Sequence, residues 1–323
     1  MTTKSYKWGI IGLGKIAHKF AQDLQKVEGA ELYAVASRSL EKAEEFAEKF
    51  EVGKSYGSYE ELAQDPEVDV IYIATPHVFH YENSMLCIRN KKSVLCEKPM
   101  GVNEQQVQEM IAAAKQENVF LMEALWTHFL PHYKYVLNLV ETQRFGKLKE
   151  LTADFGFEAP FNTEKRLFNK ELGGGSLLDI GIYPVFTALT LLGEPESINA
   201  KATIGDTGVD EDCEITFNYP NAKANLSSTI RKTTATEAQL IFEEAEVLIK
   251  SRFHEPTSIY IKEEGKEETR GFDVESIGYN FEVTHVQEML SENRTESTVM
   301  TFEKSIQLIS LLDKIRKEID LEY

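Results

Sequence analysis

A short glycine-rich stretch, Gly12-Leu13-Gly14-Lys15-Ile16-Ala17, is the feature that most constrains how this chain can fold. It follows the apolar run from Tyr6 to Ile11, and apolar residues then recur at helical spacing. Glycines allow a tight turn and leave the backbone open to close approach by another group. The pattern therefore predicts a strand, a turn and a helix whose first turn faces a ligand. The alternative is a tight strand-to-helix turn that binds nothing.

The same strand–helix rhythm continues to about residue 125. Four further runs rich in apolar and β-branched residues predict strands, and helical periodicity separates most of them; the runs are Glu31–Ser37, Val68–Thr75, Ser93–Pro99 and Val119–Leu125. Alternation of this kind is typical of a doubly wound parallel sheet. We therefore predict an α/β domain of Rossmann type over residues 1–123.

The pattern changes after about Gly146, where strand-like runs follow one another with few helices between them. Their polar alternation predicts a large, mostly antiparallel sheet with one open face. Helical periodicity returns near 279–293 and 302–319. A chain of 323 residues is long for one core. We therefore predict a second, α+β domain over residues 124–323.

Composition and charge exclude several classes of protein. The formal net charge of −18 argues against a nucleic-acid partner, because such binding depends on clustered Lys and Arg. The three cysteines, Cys87, Cys96 and Cys213, form no disulfide framework. We find neither a signal-peptide layout nor an apolar run that approaches the length of a membrane span. The expectation is a cytoplasmic protein with no membrane partner.

The end of the second predicted strand distinguishes between two dinucleotide cofactors. The glycine pattern, in its strand–turn–helix context, favours a pyrophosphate at the helix N-terminus. NAD-binding chains usually place an acidic residue at the end of the second strand. Here the sequence is Ser37-Arg38-Ser39, with no acid before Glu41. Because a guanidinium pairs well with a 2′-phosphate, we predict NADP rather than NAD. The alternative is a solvated arginine in a loop.

Two other strands end in residues that can carry chemistry. His77 and His80 follow one strand within Ala74–His80 and could line a cofactor cleft, or could be histidines without a chemical role. No third ligand lies nearby, so no metal site is predicted. Lys98 follows the next strand, within Cys96–Met100. Its ammonium could stabilise the alkoxide that hydride transfer requires.

The segment Leu172–Val185 places Asp179 and Tyr183 four residues apart. On a helix they would share one face, and a tyrosine beside a carboxylate is a plausible proton-transfer group. Pro184 disturbs an ideal helix at this point. The three glycines at 173–175 form a second, weaker candidate for a phosphate loop.

These motifs, in this order and separation, resemble the glucose–fructose oxidoreductase/inositol dehydrogenase (Gfo/Idh/MocA) family. The stretches are Gly9–Ala17, Ala74–His80, Cys96–Met100 and Gly173–Val185. Glu123–Pro131 and Arg166–Val185 are similar to the branch of NADP-dependent dihydrodiol dehydrogenases and D-xylose 1-dehydrogenases. The resemblance implies a Rossmann domain followed by a domain with a large open sheet, often used for dimerisation. It also implies a homodimer or a higher homo-oligomer formed through that sheet.

The resemblance assigns roles to particular residues. It implies that Lys98 lies near the nicotinamide, that Tyr183 is the general acid/base and that Asp179 orients its neighbours. The implied cofactor contacts are Gly12, Gly14, Lys15, Ile16, Ser37, Arg38, Thr75, Pro76, His77, His80, Glu97 and Lys98. The implied substrate wall is formed by Trp126, Phe157 and Arg166. Where that branch often has Trp-Thr-Arg, this chain has Trp126-Thr127-His128, which leaves the contact of the arginine in doubt.

The sequence therefore predicts an NADP-dependent oxidoreductase. The expected reaction is hydride transfer between the nicotinamide and the carbinol or carbonyl carbon of a sugar, polyol or cyclic diol. One alternative is a reductase of a ketose, anhydro-sugar or dicarbonyl. Another is a regulator that binds NADP(H) without turnover.

Overall fold

The computed structural model describes residues 5–323, and its first six strands form one parallel sheet. These strands are β1 (Tyr6–Ile11), β2 (Ala30–Ala36), β3 (Lys54–Tyr56), β4 (Val70–Ile73), β5 (Ser93–Glu97) and β6 (Leu121–Ala124). They lie in the order β3-β2-β1-β4-β5-β6, and every neighbouring pair is parallel. This confirms the predicted doubly wound sheet. The strand order reverses between β1 and β4, and ligands bind such sheets at that switch point.

Five helices connect these strands: α1 (Lys15–Leu24), α2 (Leu40–Phe50), α3 (Tyr59–Gln64), α4 (His80–Arg89) and α5 (Glu104–Glu117). Several begin at side-chain caps. Ser58 accepts a hydrogen bond from the Glu61 amide at 3.2 Å, and Asn103 accepts one from the Gln106 amide at 2.9 Å. Such caps satisfy amides that have no partner within the helix. All four residues of β4 are buried, as a central strand requires.

The second sheet has eight strands. They are β7 (Leu148–Gly156), β8 (Ser197–Ile204), β9 (Asp210–Asn218), β10 (Lys223–Thr229), β11 (Ala238–Phe242), β12 (Ala245–Ile249), β13 (Ile259–Glu263) and β14 (Lys266–Arg270). Their order is β14-β13-β12-β11-β7-β10-β9-β8, and among these strands only the β7–β10 pair is parallel. The same domain holds α6 (Pro131–Glu141) and α7 (Ile182–Leu192), and α7 packs against β7 and β10. The predicted large, mostly antiparallel sheet is confirmed.

The chain returns to the first domain after the second sheet. One compact unit runs from the N-terminus to Phe129 and also includes Glu275–Ile306; the other comprises Leu130–Val274 and Gln307–Tyr323. The predicted division at 123/124 therefore differs from the structure, both at the boundary and in the returning segment. That segment contains α8 (Asn280–Ser291), and α9 (Phe302–Glu318) follows it.

The returning segment is held by one buried carboxylate. Asp23, at the end of α1, accepts hydrogen bonds from the backbone amides of Ile277, Gly278 and Tyr279 at 3.1, 2.8 and 3.0 Å. These amides lead into α8 and would otherwise lack partners. A single aspartate so far from them in sequence carries no pattern that predicts this contact.

One helical segment, Lys170–Leu192, is long and apolar enough by composition to cross a membrane, with a mean hydropathy of 1.5. The sequence expectation that no run approaches this length was wrong. In the structure, 83% of its apolar window is buried inside the protein. Its composition therefore fits a core helix.

Candidate active site

The turn between β1 and α1 is open on one side and closely packed on the other. Gly12 has a φ of +88°, and a Cβ there would lie 2.8 Å from the backbone of Ala74 and Thr75. A Cβ on Gly14, which begins α1, would meet nothing within 4 Å. Gly12 therefore serves the packing of the loops, whereas Gly14 leaves space beside the helix N-terminus. Lys15 is exposed and Ile16 half-buried in the first turn of that helix.

A basic residue stands at the end of β2. Arg38 is exposed, its guanidinium lies 5.9 Å from the centre of the Phe79 ring, and Tyr59 is a hydrogen-bonding neighbour. The Ser37 amide donates to Tyr56, and the Ser39 hydroxyl caps α2. The residues that directly follow β2 therefore supply one cation and two hydroxyls.

The loop after β4 contains two histidines with buried side chains. The rings of His77 and His80 lie 5.7 Å apart, and His80 is fully buried. Its Nε2 is 2.7 Å from the Thr75 carbonyl oxygen, and its Nδ1 is 2.7 Å from the Pro99 carbonyl oxygen. His80 thus joins two loops of the same unit. Thr75 and Pro76 lie between β4 and these histidines.

Lys98 follows β5 directly. It is half-buried and precedes a cis peptide bond to Pro99. The neighbouring Glu97 accepts hydrogen bonds from the Tyr72 hydroxyl and, at 3.2 Å, from the Lys98 amide. These contacts fix the backbone on both sides of the lysine.

A buried carboxyl lies close to this lysine. Glu123, on β6, accepts a hydrogen bond from the Met100 amide at 2.9 Å. Burial raises the pKa of Glu123 to about 7, the charge of Glu97 also raises it, and the positive charge of Lys98 lowers it. The lysine therefore lies within electrostatic reach of Glu123.

The second unit places Asp179 and Tyr183 on adjoining helical segments. Leu177–Gly181 forms a π-helical turn that leads directly into α7, so Pro184 falls just after the wide turn. A proline clashes with the carbonyl four residues before it in a regular helix, and a π turn relieves this clash. The helix is therefore irregular at the point where Pro184 predicted a disturbance.

The side chains around Tyr183 and Asp179 form a mixed aromatic and charged site. The Tyr183 ring lies 4.9 Å from the His254 ring and 5.8 Å from that of Phe155. Asp179 pairs with the guanidinium of Arg166 at 2.8 Å. Arg166, expected on the substrate wall, thus also holds the carboxylate expected to orient its neighbours.

The other predicted wall residues lie in different units. The half-buried Phe157 ring is 6.5 Å from that of Phe155 in the second unit. Trp126 belongs to the first unit, is 4% exposed and stacks on Tyr279 with 4.3 Å between ring centres. His128 is also buried there. One face of the Trp126 indole is therefore covered by Tyr279.

The three glycines at 173–175 serve packing. A Cβ on Gly174 would lie 2.8 Å from the carbonyl oxygens of Leu167 and Asn169, and one on Gly175 would lie 3.0 Å from the Asp210 carboxyl carbon. Asp210 accepts hydrogen bonds from the Ser176 hydroxyl at 2.8 Å and the Leu177 amide at 2.7 Å. These close contacts account for Gly174 and Gly175 without a phosphate.

The family of this chain follows from its matches to known proteins. The model described as "Oxidoreductase family, NAD-binding Rossmann fold" matches residues 6–125, and that of the GFO/IDH/MocA C-terminal domain matches residues 133–247. The chain belongs to the Gfo/Idh/MocA oxidoreductase family. Trans-1,2-dihydrobenzene-1,2-diol dehydrogenase of Xenopus tropicalis is 39% identical to it, covering 98% of this chain and 99% of that protein. The Homo sapiens protein of the same name is 36% identical, with 98% of each chain covered.

Solved structures show the same Gfo/Idh/MocA fold. An aldose-aldose oxidoreductase from Caulobacter crescentus, complexed with glycerol, superposes with a TM-score of 0.90 at 23% identity over 98% of each chain. A 3-ketoreductase from Actinomadura kijaniata, in complex with NADP and TDP-benzene, gives a TM-score of 0.89 at 22% identity with the same coverage. The predicted family and fold are thus confirmed.

The first unit fits the dinucleotide that a Gfo/Idh/MocA protein binds. The empty space beside Gly14 lies where backbone amides of the first turn of α1 are available to a pyrophosphate. The ends of β1, β4 and β5 lie side by side in the sheet, so Gly12, Thr75 and Lys98 follow neighbouring strands at one edge. These residues would hold the dinucleotide.

Several residues of this Gfo/Idh/MocA site were missed by sequence reasoning. Tyr72 and Glu123 buttress the Lys98 loop, and His254 packs on Tyr183. A glutamate inside the apolar run Val119–Leu125 is a signal that could have drawn attention to Glu123, because acids are rarely buried without a partner. Tyr72 and His254 carry no comparable signal.

Proposed function

We propose that this protein is an NADP-dependent dehydrogenase or reductase acting on a carbinol or carbonyl carbon of a sugar, polyol or cyclic diol. The observation that carries the proposal is Lys98, which follows β5 at the same edge of the sheet as the glycine turn after β1. The names of the diol dehydrogenases, which are 34–39% identical, support the substrate class.

Arg38 and the serines beside it support the choice of NADP. Its guanidinium is exposed at the end of β2, where an NAD site usually has a carboxylate. The first acid that follows, Glu41, lies within α2. A 2′-phosphate would therefore meet one cation and the hydroxyls of Ser37 and Ser39.

The side chains of the chain itself supply the proton chemistry and the charge. When bound, the nicotinamide accepts or donates the hydride. Tyr183 takes or returns the hydroxyl proton of the substrate, and Lys98 stabilises the developing negative charge on the same oxygen. Asp179, which pairs with Arg166, orients the side chains beside it. Trp126, Phe157 and Arg166 remain our candidates for the substrate wall.

The cofactor assignment is tested by titrating the protein with NADPH and NADH, following nicotinamide fluorescence and thermal shift. We expect preferential binding of NADPH, and an Arg38→Ala variant to weaken it by about 10- to 100-fold, because a hydrogen bond to a charged group contributes about 1.5–3 kcal/mol. Arg89→Ala, at an exposed arginine of the same unit, should leave NADPH binding unchanged. Equal binding of NADH would overturn the NADP assignment.

The catalytic assignment is tested separately with Lys98→Met. We expect kcat for a sugar or diol substrate to fall by about 10²- to 10⁴-fold, the usual contribution of a positioned proton-transfer or oxyanion group, while NADPH affinity changes little. Lys134→Met, at an exposed lysine of α6, is the matched control. Equal loss of binding and turnover would contradict the catalytic role. Binding of NADPH without turnover of any such substrate would favour a sensor.

We also propose that two copies associate through the open face of the second sheet. This face has a shallow cavity of about 410 Å³ lined by Thr152, Asn199, Ala200, Lys201, Glu214, Ile215, Thr216, Asn225, Leu226 and Ser227. Most of these residues are small and uncharged, and Lys201 and Glu214 form an ion pair at 2.7 Å. The chain has a net charge of −18, so two copies repel each other electrostatically over most of their surface. This repulsion is weaker at a face with few net charges.

A further inference from the structure

His80 has both ring nitrogens against backbone carbonyl oxygens. Nε2 is 2.7 Å from the Thr75 oxygen and Nδ1 is 2.7 Å from the Pro99 oxygen. A carbonyl oxygen only accepts hydrogen bonds, so each nitrogen needs its own hydrogen. A neutral imidazole carries only one, and its bare nitrogen would then face a carbonyl lone pair at hydrogen-bonding distance. The doubly protonated ring is the form that satisfies both contacts.

Turning the ring over does not remove this requirement. A flipped ring would place carbon atoms against oxygens at 2.7 Å, well inside the 3.3–3.6 Å usual for a C–H···O contact. The ring is fully buried, which favours the neutral form, whereas hydrogen bonds donated by both N–H groups favour the charged form. Here each N–H has a carbonyl acceptor.

One carbonyl belongs to the loop after β4, against which the Gly12 turn packs, and the other belongs to the loop that carries Lys98. The backbone of Ala74 and Thr75 is the surface against which Gly12 packs. Asn83, on the same helix as His80, donates to the Thr75 hydroxyl at 3.2 Å. Pro99 directly follows Lys98. His80 is thus the link between the loop beside Gly12 and the loop of Lys98.

We propose that His80 is a positioning residue that carries a proton on both ring nitrogens and so fixes the Lys98 loop to the loop after β4. The proposal rests on the catalytic role of Lys98 for its functional consequence. The protonation itself does not depend on that role, because it follows from the two carbonyls alone.

Some charged and titratable groups on the adjoining segments oppose a positive charge on His80, and others favour it. His77 lies on the same turn, with its ring 5.7 Å away, and Lys98 lies on the β5 loop; a charge on either opposes a second cation. The negative charge of Glu97, the last residue of β5, favours a cation at His80. Three further titratable groups lie on helices of the same unit. Tyr81 of α4 donates to Glu109 of α5 at 2.5 Å, and Glu82 lies in the first turn of α4.

His132 provides a matched reference inside the same molecule. It is also fully buried, but only its Nε2 has a carbonyl partner, that of Phe253 at 2.9 Å. Its Nδ1 has no hydrogen-bond partner among the described residues. Burial lowers the pKa of His132 to about 4. His132 is therefore expected to keep one bare nitrogen at neutral pH.

The protonation is tested by ¹⁵N NMR of the cofactor-free protein with labelled histidine at pH 8, assigned with His80→Gln and His132→Gln. We expect two protonated nitrogens for His80 and one for His132. An unperturbed histidine is mostly neutral at that pH. A bare nitrogen on His80 at this pH would overturn the proposal.

The positioning role is tested by the kinetics of His80→Gln, whose side chain can reach only one of the carbonyls. We expect kcat to fall about 10-fold or more while the KM for substrate changes less than 3-fold, and His132→Gln to leave both unchanged. Equal changes in kcat and KM, or none, would overturn the role. If Lys98→Met keeps full activity while His80 shows two protons, the catalytic role of Lys98 fails and the link between the loops stands.

Discussion

Glu282 is a carboxylic acid buried without a hydrogen-bond partner. It lies on α8, is fully buried, and neither oxygen has a partner among residues 5–323. Burial raises its pKa well above the ordinary value of 4.5, and the charge of Glu97 raises it further. The folded protein therefore keeps a proton on this side chain to a higher pH than the unfolded chain does.

This neutral acid makes stability depend on pH. Between about pH 4.5 and the raised pKa, the folded chain keeps a proton that the unfolded chain releases, so raising the pH favours unfolding. The free energy of unfolding then falls by up to about 1.4 kcal/mol for each pH unit, because one pKa unit corresponds to about that energy. Glu282→Gln, which is similar in shape and never ionises, should gain stability relative to the parent as the pH rises from about 4.5 towards the raised pKa of Glu282. Denaturant unfolding at several pH values measures this.

Glu45→Gln is the control for that series, because Glu45 is an exposed glutamate within a helix, α2. It should unfold with the same pH dependence as the parent. A constant difference between Glu282→Gln and the parent across the pH range would contradict a proton bound only in the folded state.

At the scale of elements, the β1–α1 turn contains two glycines with separable roles. Gly12→Ala places a Cβ 2.8 Å from backbone atoms at a positive φ, so we expect it to lower both stability and dinucleotide binding. Gly14→Ala has 4 Å of free space within the protein, so its melting temperature should match that of the parent. Its NADPH affinity should nevertheless fall at least 10-fold, because the Cβ occupies the space beside the helix N-terminus.

Thermal unfolding with and without NADPH separates the two effects. Gly14→Ala should lose the stabilisation that the ligand confers while keeping the melting temperature of the free protein. Unchanged NADPH binding in Gly14→Ala would mean that the pyrophosphate lies elsewhere. Gly53→Ala, another glycine with no atom within 4 Å of its Cβ, serves as the control.

The segment around Asp179 and Tyr183 shows how an element can depart from its periodicity. The spacing of the two residues predicts one helical face, but Pro184 removes an N–H and crowds Ile180. The structure resolves this with the π turn at Leu177–Gly181. Gly181 also packs so that a Cβ would lie 2.8 Å from the Ser228 hydroxyl oxygen. A contact between residues so distant in sequence is not visible in a local pattern.

At the scale of the whole molecule, local signals predicted most of the fold. The strand and the helix on either side of the Gly12 turn depend on neighbours in sequence, and both were predicted. The return of residues 275–306 to the first unit depends on Asp23, some 250 positions away, and was missed. The motif of Lys98 was found in the sequence, whereas Tyr72 and Glu123, which contact its loop, are brought there by tertiary packing.

The net charge of −18 also bears on how copies of the whole molecule meet. Like charges repel across most of the surface, but the centre of the open sheet face is formed by uncharged residues such as Thr152, Thr216 and Asn225. Interfaces are likewise depleted of charge at their centres. We therefore expect a dimer in solution, with about twice the chain mass of 36.7 kDa.

Adding charge to that face should separate the two copies. Thr216→Glu places a carboxylate in the middle of the face of each copy, so any twofold contact brings like charges together where water is excluded, at a cost of several kcal/mol. We expect light scattering after size exclusion to give the mass of one chain. Thr142→Glu adds the same charge at the exposed end of α6 and should leave the parent's mass unchanged. A dimer that survives Thr216→Glu must use another surface, since a face of small uncharged side chains cannot bury two facing carboxylates without opening.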